Sequence, residues 1–177
     1  MTKVISLISI VSLIFITSIS CQSENKNDLQ PEYTRFVGDI SPDSILDASD
    51  FKVCNEEKHI FQYFNTGDGF KYKGEKPALV SKIKNNFKPI AGSDYQNGYI
   101  RIRFIINCKG ESGRYSVLSS DFSYEPKKFD QVIVNQLLTL VEELDGWETI
   151  SKNGTSLDYY MYLIFKIENG RIIEILP

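Results

Sequence analysis

The stretch from Gly98 to Asp121, GYIRIRFIINCKGESGRYSVLSSD, constrains the fold of this chain more than any other. Ile100, Ile102, Phe104 and Ile106 fall on one side at a period of two, the signature of a strand with one dry face. Tyr99, Arg101, Arg103 and Asn107 fall on the other, with Ile105 as the exception. Lys109-Gly110-Glu111 supplies a turn, and Tyr115-Ser116-Val117-Leu118 returns, so the spacing predicts a β-hairpin. One strand pair cannot bury its apolar side alone, so further elements must cover it.

Two helices are available for that. Lys76 to Phe87 places Leu79, Val80, Ile83 and Phe87 on one stripe, with Pro77 suited to the first turn and Pro89 ending the run. Glu125 to Leu144 carries Phe129, Val132, Ile133, Leu137, Leu140, Val141 and Leu144 at spacings of three and four. Pro126 again fits a first turn, and Gly146 and Trp147 follow the end.

The remaining strand signals lie at the C-terminal end and before the first helix. After the loop pair Asn153-Gly154, the run from Tyr159 to Ile167 alternates Tyr159, Met161, Leu163, Phe165 and Ile167 against Tyr160, Tyr162 and Ile164. Glu168-Asn169-Gly170-Arg171 is a hairpin signal, because Asn-Gly accepts the left-handed conformation a type I′ turn needs. Ile172 to Leu176 is then the closing strand, and His59 to Phe64 is a short aromatic strand candidate ahead of the turn Thr66-Gly67-Asp68-Gly69.

The expected fold is therefore α+β, an antiparallel sheet with helices near 77–87 and 126–144 packed on one face. Its strands are expected near 99–108, 114–120, 158–167 and 171–176, and the face carrying Arg101 and Arg103 is expected to be the wetter one.

The N-terminal end reads differently. Lys3 precedes an apolar run, Val4 to Ile16, interrupted only by serines. Thirteen residues fall short of the ~20 a membrane span needs and suit the core of a secretory leader. Ser18-Ile19-Ser20-Cys21 then resembles the end of a bacterial lipoprotein signal, in which the cysteine is lipidated and becomes the new N-terminus. The pattern departs from that family at Ser18, where leucine is preferred. Residues 1–20 are thus expected to be a leader, 21–50 a polar flexible tether, and 51–177 one domain. Within the tether, Glu24 and Asp28 resemble a weak surface-export signal, and Asp43-Ser44-Ile45 resembles an acceptor for O-glycans at Ser44, against the plainer reading of an ordinary linker. Phe36 and Val37 are candidates to dock on the domain.

With Cys21 taken by lipid, Cys54 and Cys108 remain, an even pair in an oxidising compartment. Export favours a disulfide over two buried free thiols. The bridge would close a loop of about 55 residues, worth ~4 kcal/mol in the chain-entropy model.

Catalytic signals are sparse. His59 is the single histidine, and with no second histidine a zinc site would need carboxylate partners. The chain contains no Gly-x-Ser-x-Gly, His-Glu-x-x-His or P-loop pattern, and no cofactor is expected. A net charge of −3 without a basic stripe argues against a nucleic-acid partner.

Taken in order, the segment from Pro77 to Ile167, about 90 of the 177 residues, resembles the C-terminal domain of TonB-type energy transducers. The residues that carry the resemblance are Gly98, Ile102, Phe104, Gly110, Val117 and Ser119 in the hairpin, then Trp147, Gly154, Ile164 and Phe165. Family members hold an uncleaved inner-membrane helix and a long Pro-rich spacer. This chain has a lipoprotein-like leader and few tether prolines, so energy transduction would require Cys21 to stay unprocessed.

The resemblance implies an interaction module that captures an extended peptide by adding a strand to a sheet edge. On that basis the expectation is a non-enzymatic, lipid-anchored envelope protein, most simply on the outer membrane, binding another envelope protein or peptide. Tyr160, Tyr162, Arg171 and Ile173 are the candidate partner-binding residues, from the aromatic run and the closing strand. The competing class is a lipoprotein enzyme or small-ligand binder without a recognisable motif.

Overall fold

The alternating stretch forms the expected hairpin in the computed structural model of the chain, which describes residues 40, 41 and 50–177. These lie in a unit running from Asp39 to Pro177. In chain order the elements are β1 (Phe61–Gln62), α1 (Glu75–Asn86), β2 (Gly98–Ile106), β3 (Ser112–Ser120) and α2 (Gln131–Glu142). Then come β4 (Ile150–Lys152), β5 (Thr155–Leu157), β6 (Tyr159–Glu168) and β7 (Arg171–Leu176).

The main sheet runs β1-β6-β2-β3, with β7 also on β6. Strand β2 is central and pairs antiparallel with β6 along its whole length, from Gly98 opposite Ile167 to Ile106 opposite Tyr159. The outer side of β6 is shared: β1 pairs with Tyr159 and Tyr160 in parallel, and β7 pairs antiparallel with Ile164 to Glu168. The sheet is therefore mostly, not wholly, antiparallel, because the short β1 enters alongside the start of β6.

Both helices belong to the apolar side. Leu79 and Ile83 of α1 and Ile133, Leu137 and Val141 of α2 share one core with Ile100, Ile102, Phe104 and Ile106 of β2 and with Met161, Leu163, Phe165 and Ile167 of β6. Each such side chain contributes roughly 1.5–3 kcal/mol when fully removed from water. Trp147 closes one end of this core, with Tyr72 at 5.0 Å and Phe104 at 5.3 Å between ring centroids. Its indole Nε1 has no hydrogen-bond partner among the described residues.

Several expectations change. Helix α2 starts at Gln131 and ends at Glu142, short of the 126–144 expected. Asp130 caps it, its side chain accepting from Val132 N at 2.9 Å, which satisfies one of the free first-turn donors. Pro126 instead forms an isolated bridge with Ser120, so the segment ahead of the helix is drawn out along β3. The aromatic run His59 to Phe64 gives only the two-residue β1, flanked by 3-10 turns at Glu57–His59 and Tyr63–Asn65. Asn153-Gly154 is the tip of a separate hairpin, β4 with β5, rather than a loop into β6. Both Asn-Gly pairs adopt positive φ throughout, 52° and 81° at Asn153-Gly154 and 51° and 68° at Asn169-Gly170, as a type I′ turn requires.

The opposite face of the sheet also departs from expectation. It is dry at one end, where Ile105 and Tyr160 are buried with Ile40 and flanked by Phe51, Val53 and Ile60. Gly113 permits this covering, since a Cβ there would strike the Phe51 ring. Arg103, expected to be wet, is only 8% exposed.

Candidate interaction surface

The N-terminal covering is held by a knot of polar groups centred on Asp158. Cys54 and Cys108 are joined, with their Cα atoms 5.9 Å apart, the pairing expected from the sequence. Next to the bridge the Asp158 carboxylate, fully buried, accepts from the backbone N–H of Cys54, Asn55 and Cys108 at 2.7–3.1 Å. The Asn55 side-chain amide adds a fourth donor at 2.9 Å. A buried carboxylate is tolerable only when its oxygens are fully bonded in this way. Asn107 completes the turn between β2 and β3: its Oδ1 accepts from Lys109 N and Glu111 N, and its amide donates to Lys52 O. Cys54, Cys108 and Asp158 lie close enough to suggest a metal site. The sulfurs are bonded to each other and the carboxylate is saturated by N–H donors, so the cluster is a structural joint.

Arg114 adds a second tie. Its positive φ of 55° lies where the β2–β3 register shifts, a bulge that re-aims the side chain. The guanidinium donates through both terminal nitrogens to the two oxygens of Glu57, at 2.6 and 2.5 Å. That bond, ahead of the opposing desolvation, holds the Glu57 carboxyl below its ordinary value.

Beyond the covered end, no described residue covers the first two rows of the face. Reading across the strands, Ser120, Tyr99, Lys166 and Glu174 form one row, and Leu118, Arg101, Ile164 and Leu176 the next. Ser116, Arg103 and Tyr162 form the third. At the outer end Tyr99 stacks on Tyr124 at 5.6 Å and 6° and meets Phe122 edge-on at 5.4 Å. Tyr124 is 78% exposed. Lys166 lies over the Phe122 ring at 5.7 Å and pairs with Glu168 at 2.8 Å.

The four candidate partner-binding residues do not form one site. Tyr160 is buried, 3% exposed, beneath the N-terminal covering with Arg103 at 5.5 Å from its ring centre. It is a packing residue, and its expected contact role is withdrawn. Tyr162 is half-buried against Tyr63 at 5.5 Å. Burial raises the Tyr63 hydroxyl to about 12, with the Tyr162 hydroxyl hydrogen bond acting in the same direction. Arg171 opens β7 opposite Glu168, eight positions along β6 from Tyr160, or roughly 26 Å at strand spacing. Ile173 is 45% exposed on the same strand, its carbonyl accepting from Lys84 Nζ at 2.9 Å. Cys21 and Ser44 lie outside the described residues.

Sequence reasoning missed Asp158 and the Tyr99–Phe122–Tyr124 cluster. Neither carries a local signature: the four donors of Asp158 come from residues 50 to 104 positions away. No family model, curated protein or solved structure matches this chain.

Proposed function

We propose that this protein is a non-enzymatic, lipid-anchored module of the bacterial envelope that binds a partner protein or peptide through an edge of its sheet. The observation that carries the proposal is β7, which among the described residues has β6 as its single strand neighbour and leaves its outer side unpaired. Unpaired main-chain groups on such a strand are a template for an added strand, with main-chain bonds giving affinity and alternate side chains giving specificity. The bulge between Lys166 and Ile167 and the Lys84 contact blunt this edge, so a partner strand must displace the lysine from Ile173 O.

The helix, hairpin, helix, strand order that resembles TonB-type C-terminal domains supports the same mode. Anchoring at Cys21 follows from the apolar run ending at Ser20-Cys21. The Cys54–Cys108 bridge suits an exported protein. The non-enzymatic part of the proposal is supported by the use already made of the buried carboxylate Asp158, whose oxygens are occupied by N–H groups.

Ile173→Pro tests the edge. An edge strand tolerates proline better than a central one, so the variant is expected to fold with both helices intact and to lose crosslinking of β7 to its envelope partner. Undiminished crosslinking to 171–176 in a folded Ile173→Pro protein would falsify edge pairing there.

A further inference from the structure

The open rows of the sheet face contain a cation whose surroundings leave it without a partner. Arg101 lies at the centre of the pattern set by the strand registers. Directly across are Leu118 and Ile164; along its own strand are Tyr99 and Arg103; at the diagonals are Ser116, Ser120, Tyr162 and Lys166. These eight neighbours include two further cations and no carboxylate. Among the described residues Arg101 makes no ion pair or hydrogen bond. The other cations of this face are engaged, Lys166 with Glu168 and Arg103 against the Tyr160 ring.

The frame around that guanidinium is apolar and aromatic. Leu118 is exposed, Ile164 and Leu176 are half-buried, and the Tyr99–Phe122–Tyr124 cluster stands at one end. The N-terminal covering over Ile105 and Tyr160 stands at the other. A chain with net charge −3 thus presents a positive centre between apolar residues of its sheet face. A planar fork of N–H donors matches a carboxylate with two parallel bonds, and partial removal from water strengthens them.

We propose that this face is a docking site for an acidic peptide segment of a partner protein, with a carboxylate on Arg101 and flanking apolar side chains against Leu118, Ile164, Leu176 and Tyr99. It rests on the protein-interaction reading above but uses the sheet face, not the β7 edge. The two open rows lie roughly 7 Å apart, so a segment of about three to five extended residues covers them and their margins.

The test uses the full chain and a fluorescein-labelled peptide of about five residues, Phe-Ser-Glu-Ser-Phe, whose extended form turns the glutamate and both phenylalanines to one side, beside its glutamine counterpart, at low salt where charge contacts are least screened. Fluorescence anisotropy is expected to show the glutamate peptide bound at least about tenfold more tightly than the glutamine one. Arg101→Gln should remove about that factor, and Arg101→Lys should fall between, since the ammonium keeps the charge but not the fork. Leu118→Glu supplies a carboxylate directly across from Arg101 and should weaken binding as Arg101→Gln does, at an exposed position where folding is not at stake. Near-UV circular dichroism confirms that each variant is folded.

Equal binding of the two peptides, wild-type affinity in folded Arg101→Gln or Leu118→Glu, or no binding at all overturns the proposal. So does equal binding of an oligosaccharide of uronic acids, which would make the ligand a glycan, or a concentration-dependent dimer that Arg101→Gln abolishes, which would make it a second copy. The two readings fail separately. Loss of partner crosslinking in Ile173→Pro with a peptide insensitive to Arg101 removes the face and keeps the edge. Peptide binding that depends on Arg101 but survives Ile173→Pro, in a protein whose β7 crosslinks nothing, does the reverse.

Discussion

The two faces of the sheet are built from the same strands by opposite means. On the helix side, Ile100, Ile102, Phe104 and Ile106 meet Leu79, Ile83, Ile133 and Leu137, and apolar contact alone closes the layer. On the other side, the alternate residues of β2 run from Tyr99 through Arg101 and Arg103 to Ile105. Among the described residues only the last part is covered, by a segment that brings Ile40, Phe51, Val53 and Ile60 to it. That segment is fastened by a disulfide, a buried carboxylate and a forked ion pair instead. A large apolar surface holds a layer without directed bonds; a small one needs cross-links and saturated polar groups to offset the entropy of ordering the chain. The uncovered remainder is where a cation can stay unpaired and reach a ligand.

The comparison breaks most sharply at Phe104, which is fully buried against Tyr115 and Trp147. Phe104→Ala should cost about 3–5 kcal/mol and unfold the domain as a whole, read as a shifted urea midpoint. A midpoint within error of the wild type would show that the helix side is not the main core.

Removing the bridge acts next. The double variant Cys54→Ser with Cys108→Ser should lose about 2–4 kcal/mol. Hydrogen exchange is expected to rise first in the N-terminal covering, at the amides of Cys54, Asn55 and Phe61, with α1 and α2 still protected. Simultaneous loss of protection in the helices would mean that the two sides are one cooperative unit.

The smallest effect is electrostatic. Glu57 titrates below its ordinary value because of Arg114, so its contribution to stability is present above about pH 4.5 and is lost as pH falls through the lowered value. Glu57→Gln should flatten that part of the stability profile below about pH 4.5, by less than about 1 kcal/mol because the glutamate is largely exposed. Glu142, raised chiefly by burial, works in the opposite sense and is unchanged in the variant. An identical acid slope in the two proteins would assign the acid loss to other carboxylates.

Much of this architecture was legible before any coordinates. The period-two runs at 98–106 and 159–168, the two amphipathic helices and both Asn-Gly turns lie where local pattern places them, since each depends on neighbours a few residues away. The start of α2 was misplaced because Pro126 suits a helix start as well as a strand partner, and only pairing with Ser120 decides between them. The strand parity put Tyr160 on the same face as Tyr162, and parity is correct. Which part of that face stays open is another matter.

By itself the sequence determined the long strands of the sheet, the middle of both helices, the dry side of the central hairpin and, through an even pair of cysteines after Cys21, the bridge at Cys54 and Cys108. Each is written in local periodicity or in counting. Tertiary structure alone decided that Asp158 would be the anchor of the N-terminal covering, that Arg103 and Tyr160 would be buried, and that Arg101 would stand among Leu118, Ile164 and Lys166, with no carboxylate partner among the described residues. Those outcomes depend on the register between strands dozens of residues apart. Shifting one strand by a single residue would turn each of these side chains to the other face.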